Sequence, residues 1–185
     1  NYANIPRMIY GADLSGEWHP YICFSDEERE AARDFCLSLP HKKTIMLETQ
    51  LRSAGNFILA EDTTRDIMQA CRNKFGKCNF IFAGKVDYEK FVDDPGVVSA
   101  SHFTIRQVSL IHDYCDLFIG VCSGITQACS SWQSKPVPRV EMCGSMIVSS
   151  VIAKGPVNSV ICDNWSLAQM KVGFVKGVEK TLAGF

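Results

Sequence analysis

Residues 116–132 read DLFIGVCSGITQACSSW. The apolar run from Leu117 to Val121 stops at Cys122-Ser123-Gly124, after which Ile125, Ala128, Cys129 and Trp132 recur at helical spacing. The pattern predicts a strand, a tight turn and a helix. Ser123 and Gly124 then sit where that helix begins, with backbone N–H groups and the positive end of its dipole pointing outward, an arrangement that accepts phosphate. The same two residues also make an ordinary N-cap and an ordinary turn, and both readings stand on this stretch alone.

Around this stretch lie 185 residues, enough for one domain with a sizeable core. Hydrophobic residues at 46% and charged residues at 21% are globular values, which exclude a disordered chain. A net charge of −1 with both signs interspersed lacks the positive field that nucleic acid requires. Apolar runs such as 146–153 fall far short of the roughly 20 residues that cross a bilayer, so no transmembrane segment is expected. No basic segment followed by an apolar one opens the chain, although its first residue is Asn1 rather than Met. Nine cysteines, several of them (Cys23, Cys71, Cys78, Cys115, Cys162) in or beside apolar stretches, point to free thiols in a reducing, cytoplasmic setting. With no Cys-x-x-Cys pair and no His at zinc-ligand spacing, neither a metal nor a cofactor is expected.

Outward from the central stretch, strands alternate with helices. Residues 1–22 mix Gly, Pro, Asn and aromatics and read as an irregular lead-in or interdomain segment, leaving 23–185 as the domain. Ser25 with Glu28 forms a capping box for a helix that ends at Pro40. KTIMLE (43–48) is a buried strand followed by a loop; Asp62 or Thr63 caps a helix through Phe75 that stops at Gly76. CNFIFA (78–83) and Val97 to Ala100 are the next strands, and Thr104 opens the helix leading into Asp116. Strands over 136–142 and 158–162 and helices over 145–153 and 167–182 complete the chain. Strands this apolar require cover on both faces, so the expected class is α/β with a doubly wound, mostly parallel, Rossmann-like sheet.

Ligands of such sheets bind beyond the carboxyl ends of the strands, near the point where strand order reverses. The loops there carry Glu48, Gln50, Arg52, Ser53 and Gly55; Gly84 and Lys85; Ser101 and His102; Ser123, Gly124 and Gln127; and Glu141, Gly144 and Ser145. Small residues, two cations and a helix start suit a diphosphate, with Glu141 or Glu48 available to ribose hydroxyls. Neither G-x-x-x-x-G-K-[ST] nor G-x-G-x-x-G occurs, which argues against a common nucleotide triphosphatase or dehydrogenase. Gly120-Val121-Cys122-Ser123-Gly124 also fits G-x-C-x-G, an elbow that exposes a thiol nucleophile. No His follows Cys122, so the base would be His102 or His112, and solvent exposure is the commoner fate of each. Asp93-Asp94 before Pro95-Gly96 reads as a turn, Trp18, Trp132 and Trp165 as packing, and the sequon at Asn164 as silent in a cytoplasmic protein.

HFTIRQVSLIHDYCDLFIGVCSGITQAC (102–129) resembles the nucleotide-sugar-binding, C-terminal domain of heptosyltransferase-like, GT-B-type (family 9-like) glycosyltransferases. There a helix leads into an aspartate-initiated strand and an Asp-Ser-Gly-x-x-His-x-Ala motif. Pro136 to Gly144 is similar to the following strand and glycine turn, His19 to Leu39 to the domain's opening helix, and LETQLRSAG (47–55) stands where the first phosphate-facing loop does. The likeness covers most of residues 19–163. Ser123 and Gly124 are retained, whereas Cys122 replaces Asp, Gln127 replaces His and Cys129 replaces Ala.

The resemblance implies a donor-binding domain holding a nucleoside diphosphate sugar through Arg52, Ser53, Ser123, Gly124, Gln127, Glu141, Gly144 and Ser145. It implies no catalytic residue in this chain, because the carboxylate base of such enzymes belongs to an acceptor-binding domain for which 185 residues leave no room. Sugar transfer to a glycan or lipid-linked acceptor would then need that domain or a partner chain. The alternatives are a catalytically inert nucleotide-binding or regulatory domain of the same fold, and a hydrolase using Cys122.

Overall fold

A computed structural model describes residues 22–51, 57–84, 88–121, 123–131, 134–143, 157–161 and 167–185. Residues 1–21, Arg52, Ser53, Lys85, Cys122, Gly144, Ser145 and the helix expected over 145–153 lie outside them. The described elements are α1 (Asp26–Leu37), β1 (Lys43–Glu48), β2 (Gln50–Leu51), β3 (Phe57–Ile58), α2 (Glu61–Phe75), β4 (Cys78–Phe82) and a 3-10 turn (Tyr88–Phe91). They continue with β5 (Val97–Ser99), α3 (Ile105–His112), β6 (Leu117–Val121), α4 (Gly124–Ala128), β7 (Arg139–Cys143), β8 (Val157–Ile161) and α5 (Leu167–Ala183).

Local chemistry sets the helix ends. Ser25 Oγ accepts from the Glu28 N–H while the Glu28 carboxylate accepts from the Ser25 N–H, and Thr104 and Gln107 repeat this box at α3. Gly76 ends α2 at φ +74°, a conformation that costs a side-chain-bearing residue energy. Ala60, rather than the expected Asp62 or Thr63, is the N-cap of α2, and no side chain caps that end.

Six strands form one parallel sheet in the order β5-β4-β1-β6-β7-β8, and β2 pairs antiparallel with β3 in a small ribbon that the sequence presents only as a loop. From β1 the chain winds outward through β4 to β5, then returns to the other side of β1 and winds through β6 and β7 to β8. Strand order therefore reverses between β1 and β6. Asp116 fixes that junction: its carboxylate accepts from Lys43 Nζ at 2.6 Å and from the Thr44 N–H at 3.0 Å, and its own N–H donates to the Thr44 carbonyl at 2.8 Å.

Alternate residues of each strand face opposite layers. Ile45, Leu47, Phe80, Phe82, Leu117, Ile119 and Val140 pack on Ile67, Met68 and Cys71 of α2 and on Phe174 and Val178 of α5. Met46, Ile81 and Phe118 pack on Ala32 of α1, on Val108 and Ile111 of α3, and on Cys129 just beyond α4. On that second face Arg106 of α3 grips Glu28 of α1 through two bonds of 2.7 Å, which holds the Glu28 carboxyl down at about 2, with the Ser25 N–H assisting.

Magnitudes separate core from caps. Phe80, fully buried on β4, should cost about 3–5 kcal/mol when truncated to Ala. Ser25→Ala, which removes only a cap, should cost about 1 kcal/mol. Urea titration of both variants checks the ordering, and equal losses would contradict it.

Candidate functional site

The reversal between β1 and β6 opens a cavity of about 330 Å³ at the carboxyl edge of the sheet. Glu48 ends β1 and Gln50 follows it; Ala83 and Gly84 follow β4, Ser101 and Phe103 follow β5, and Ile105 and Val108 come from α3. Ser123, Gly124 and Ile125 complete the lining from the start of α4. Glu48 is only 2% exposed, and its Oε1 accepts from the Gln50 N–H at 3.0 Å. Two glycines make room for it. A Cβ at Gly120 would lie 2.7 Å from the Glu48 Cβ, and one at Gly84 would lie 3.4 Å from Oε1.

At α4 the Ser123 hydroxyl turns back into its own helix. It accepts from the Ile125 and Thr126 N–H groups at 3.2 and 3.4 Å, while Thr126 Oγ1 accepts from the Ser123 N–H at 3.1 Å and donates to the Val121 carbonyl. The N-cap reading of Ser123 is thus the one realised, and these first-turn amides are already engaged. Gln127 is half-buried, bonds through its backbone to the Ser123 carbonyl, and is not among the residues lining the cavity.

No protein-family model matches the sequence, and no curated protein matches it. Solved structures do. The E. coli ADP-heptose LPS heptosyltransferase II superposes on 89% of this chain with a TM-score of 0.60 at 10% identity. A family 9 glycosyl transferase from Veillonella parvula DSM 2008 superposes on all of it with a TM-score of 0.59 at 18% identity. The fold is that of a heptosyltransferase-like GT-B domain. At these identities the likeness is one of fold, and the chain spans 54% and 59% of the two structures it matches.

Behind α4 the fold holds a charged cluster that sequence reasoning missed. Arg139 on β7 is fully buried; Nη1 donates to Ser130 Oγ at 2.6 Å and to the Thr126 carbonyl at 3.3 Å, and Nη2 donates to the Cys129 carbonyl. Nη2 also meets His112 Nε2 at 3.2 Å, so that nitrogen is the acceptor and Nδ1, 3.5 Å from Asp113 Oδ1, carries the proton. Glu141 Oε1 lies 3.5 Å from Nη1. The available signal was two ionisable residues at strand spacing, Arg139 and Glu141, inside an apolar strand.

This cluster revises two readings. Glu141 stands level with Glu48 across Gly120, yet it is fully buried against Arg139 and does not line the cavity. Burial pushes its carboxyl up, with Arg139 opposing. His112, expected to face solvent, is fully buried, and burial pushes its pKa down against the pull of Asp113. An imidazole held between Arg139 and Asp113 is poorly placed to activate a thiol. His102 is exposed, its ring centroid 4.1 Å from that of Phe103. Burial pushes the thiols of Cys36, Cys71 and Cys129 up to about 12, the direction of inert cysteines.

A larger cavity of about 870 Å³ lies at the opposite edge of the sheet, where His41 and Cys78 stand at the strand starts. Its arginines are committed: Arg72 pairs with Asp94, and Arg65 with Glu61 at 2.8 Å. Asp94 Oδ1 also accepts from the Gly96 N–H, as its turn reading requires. Among the described residues no group of His, Cys, Asp or Glu is placed to hold a metal, and no helix is long and apolar enough to cross a membrane.

The buried His112 has a measurable consequence. With its folded pKa below the ordinary 6.5, the unfolded chain binds more protons between those two values, so stability falls as pH drops below 6.5. Glu141, raised from 4.5, acts with the opposite sign as pH climbs. Denaturant titrations from pH 5 to 8 should therefore show a wild-type stability that declines toward acid relative to His112→Gln. Parallel profiles would contradict the assignment.

Proposed function

We propose that this chain is the donor-binding half of a glycosyltransferase, holding a nucleoside diphosphate sugar at the carboxyl edge of its sheet. The observation that carries the reading is the cavity at the β1/β6 reversal, where folds of this order bind nucleotides. The superposable structures, a heptosyltransferase and a family 9 glycosyl transferase, support it.

In this reading Ser123 and Gly124 form the rim beneath the diphosphate, with Gln127 on the next turn. The Ser123 hydroxyl is engaged within α4; in this reading Arg52 would supply the positive charge, with Ser53 as a further contact. Gly144 and Ser145 approach the nucleoside from the segment after β7, and Glu141 acts from behind by holding Arg139. Transfer breaks the bond between the sugar and the diphosphate oxygen while the acceptor oxygen bonds the anomeric carbon and gives its proton to a base. Charge grows on the departing diphosphate, so a cation placed there lowers the barrier. An acceptor-binding domain or a partner chain would supply the base. Free thiols at Cys23, Cys36, Cys71, Cys78, Cys115 and Cys129 favour a cytoplasmic location.

A second reading, a nucleotide-binding domain without transfer activity, is favoured by the inward-turned Ser123 hydroxyl and by Gln127 in place of the family's His.

Thermal unfolding with ADP, GDP, UDP, CMP and their nucleotide sugars tests the proposal. A true ligand at about 100 times its Kd should add about 2.7 kcal/mol of stability, and no shift with any of them would overturn the donor reading. Arg52→Ala should weaken the affinity for the nucleotide found; unchanged affinity would remove Arg52 from the site.

A further inference from the structure

Every hydrogen on the two terminal nitrogens of the buried Arg139 is taken. Nη1 gives its pair to Ser130 Oγ and the Thr126 carbonyl, and Nη2 gives its pair to the Cys129 carbonyl and His112 Nε2. Three of these acceptors belong to α4 and the two residues after it. The fourth is an imidazole that accepts only while neutral, because both ring nitrogens of a protonated histidine donate. The seating of residues 124–131 is therefore tied to the charge of a side chain on α3.

Among the described residues the ionisable groups about His112 come from four elements. Asp113 and Cys115 follow it at the end of α3, Arg139 and Glu141 stand on β7, Cys129 ends α4, and Glu48 of β1 lies level with Glu141 across Gly120. Lys135 gives its N–H to Asp113 and holds its ammonium over the Tyr114 ring, and β6 offers the His112 ring only Phe118, with centroids 5.9 Å apart. Asp113 faces Nδ1 at 3.5 Å and Arg139 faces Nε2 at 3.2 Å, so a second proton on the ring would point at the guanidinium. Two cations in contact without exposure to water repel strongly.

Of the elements that meet at Arg139, α4 is the one able to yield. β7 is paired on both sides, to β6 and β8, and α3 has its capping box and buries Val108, Leu110 and Ile111. α4 has five residues, of which Thr126 alone is buried. Segments with so few buried contacts open at a lower free energy than the core around them.

We infer that His112, Arg139 and the carbonyls of Thr126 and Cys129 form an acid-sensitive latch: a proton taken from solvent onto His112 Nε2 breaks its bond to Arg139 and lets residues 124–131 open while the sheet and α3 stay folded. α4 begins at Ser123 and Gly124 on the carboxyl edge, so the latch makes the presentation of that edge depend on pH, whatever binds there. The inference does not rest on the donor-domain reading.

Amide exchange of the full chain, followed by NMR in low urea at pH 7.5 and 5.5, tests it. The N–H groups of Gln127, Cys129, Ser130 and Ser131, each bonded within this segment, report the latch, and those of β4 report global unfolding. Exchange at the four should be insensitive to urea, as local opening is, while exchange in β4 rises with it. Their protection, corrected for intrinsic exchange, should fall at least about threefold and at most about tenfold between the two pH values, the scale of one proton linked to opening. Glu141 titrates with the opposite sign, so His112→Gln, which can still accept from Arg139 but cannot be protonated, isolates the imidazole and should abolish the fall. A urea slope equal to that of β4, a protection that does not change with pH, or a fall that persists in His112→Gln overturns the latch. Should that variant not fold, the ring nitrogens of wild-type His112 decide: a neutral ring at pH 6.5 with Nε2 as acceptor supports the latch, and a half-protonated one, as in an ordinary histidine, overturns it.

Discussion

The pairing of β1 with β6 is the contact on which this molecule depends. It joins the β5-β4-β1 half of the sheet to the β6-β7-β8 half, and it closes at Glu48 and Gly120 only because position 120 carries no side chain. A Cβ there would lie 2.8 Å from the Glu48 carbonyl oxygen as well as 2.7 Å from its Cβ. At the other end of the same pairing, Asp116 binds Lys43 and Thr44 of β1. Between these two points the register is set, and with it the place where the loops after β1 and β6 diverge. The cavity is the space left by that divergence.

A second constraint lies one strand further out. α4 has five residues, too few to be stable alone. Its first turn is closed by Ser123 and Thr126, and carbonyls toward its far end are gripped by Arg139, a guanidinium with no exposure to water. Burying that charge is costly, and removing one partner of such a group typically costs about 3–5 kcal/mol because the rest is left uncompensated. Glu141 and His112 therefore act through Arg139 on the segment that presents Ser123, Gly124 and Ile125 to the cavity. Their contribution to the site is the position of α4.

Much of the architecture was legible in the chain because its signals are local. Ser25 with Glu28 and Thr104 with Gln107 announce helix starts through bonds spanning three residues, and Gly76 announces a stop through its own φ. Apolar runs such as KTIMLE and LFIGV require cover on both faces, which implies a parallel sheet wrapped by helices before any contact is known. The β2–β3 ribbon escaped notice because each of its strands has two residues, too few for a period. The buried state of His112 escaped for another reason: its partner Arg139 lies 27 residues away, and no local pattern encodes that meeting.

The candidate site divides along the same line. By itself the sequence determined the fold class, the strand over 117–121 and the helix that follows it from Gly124, and the place of Glu48, Gln50, Gly84, Ser101, Ser123 and Gly124 at the carboxyl edge, since strand direction and alternation suffice for each. Only the tertiary structure distinguished Glu48 from Glu141. Both end up on the same sheet face, level with Gly120, but Glu141 is drawn to the buried Arg139 while Glu48 borders the cavity. It likewise decided that the Ser123 hydroxyl serves its own helix. Those outcomes turn on which charged and polar groups meet across β1, β6, β7, α3 and α4. Such meetings are settled by register and packing between distant segments, which spacing along one chain cannot express.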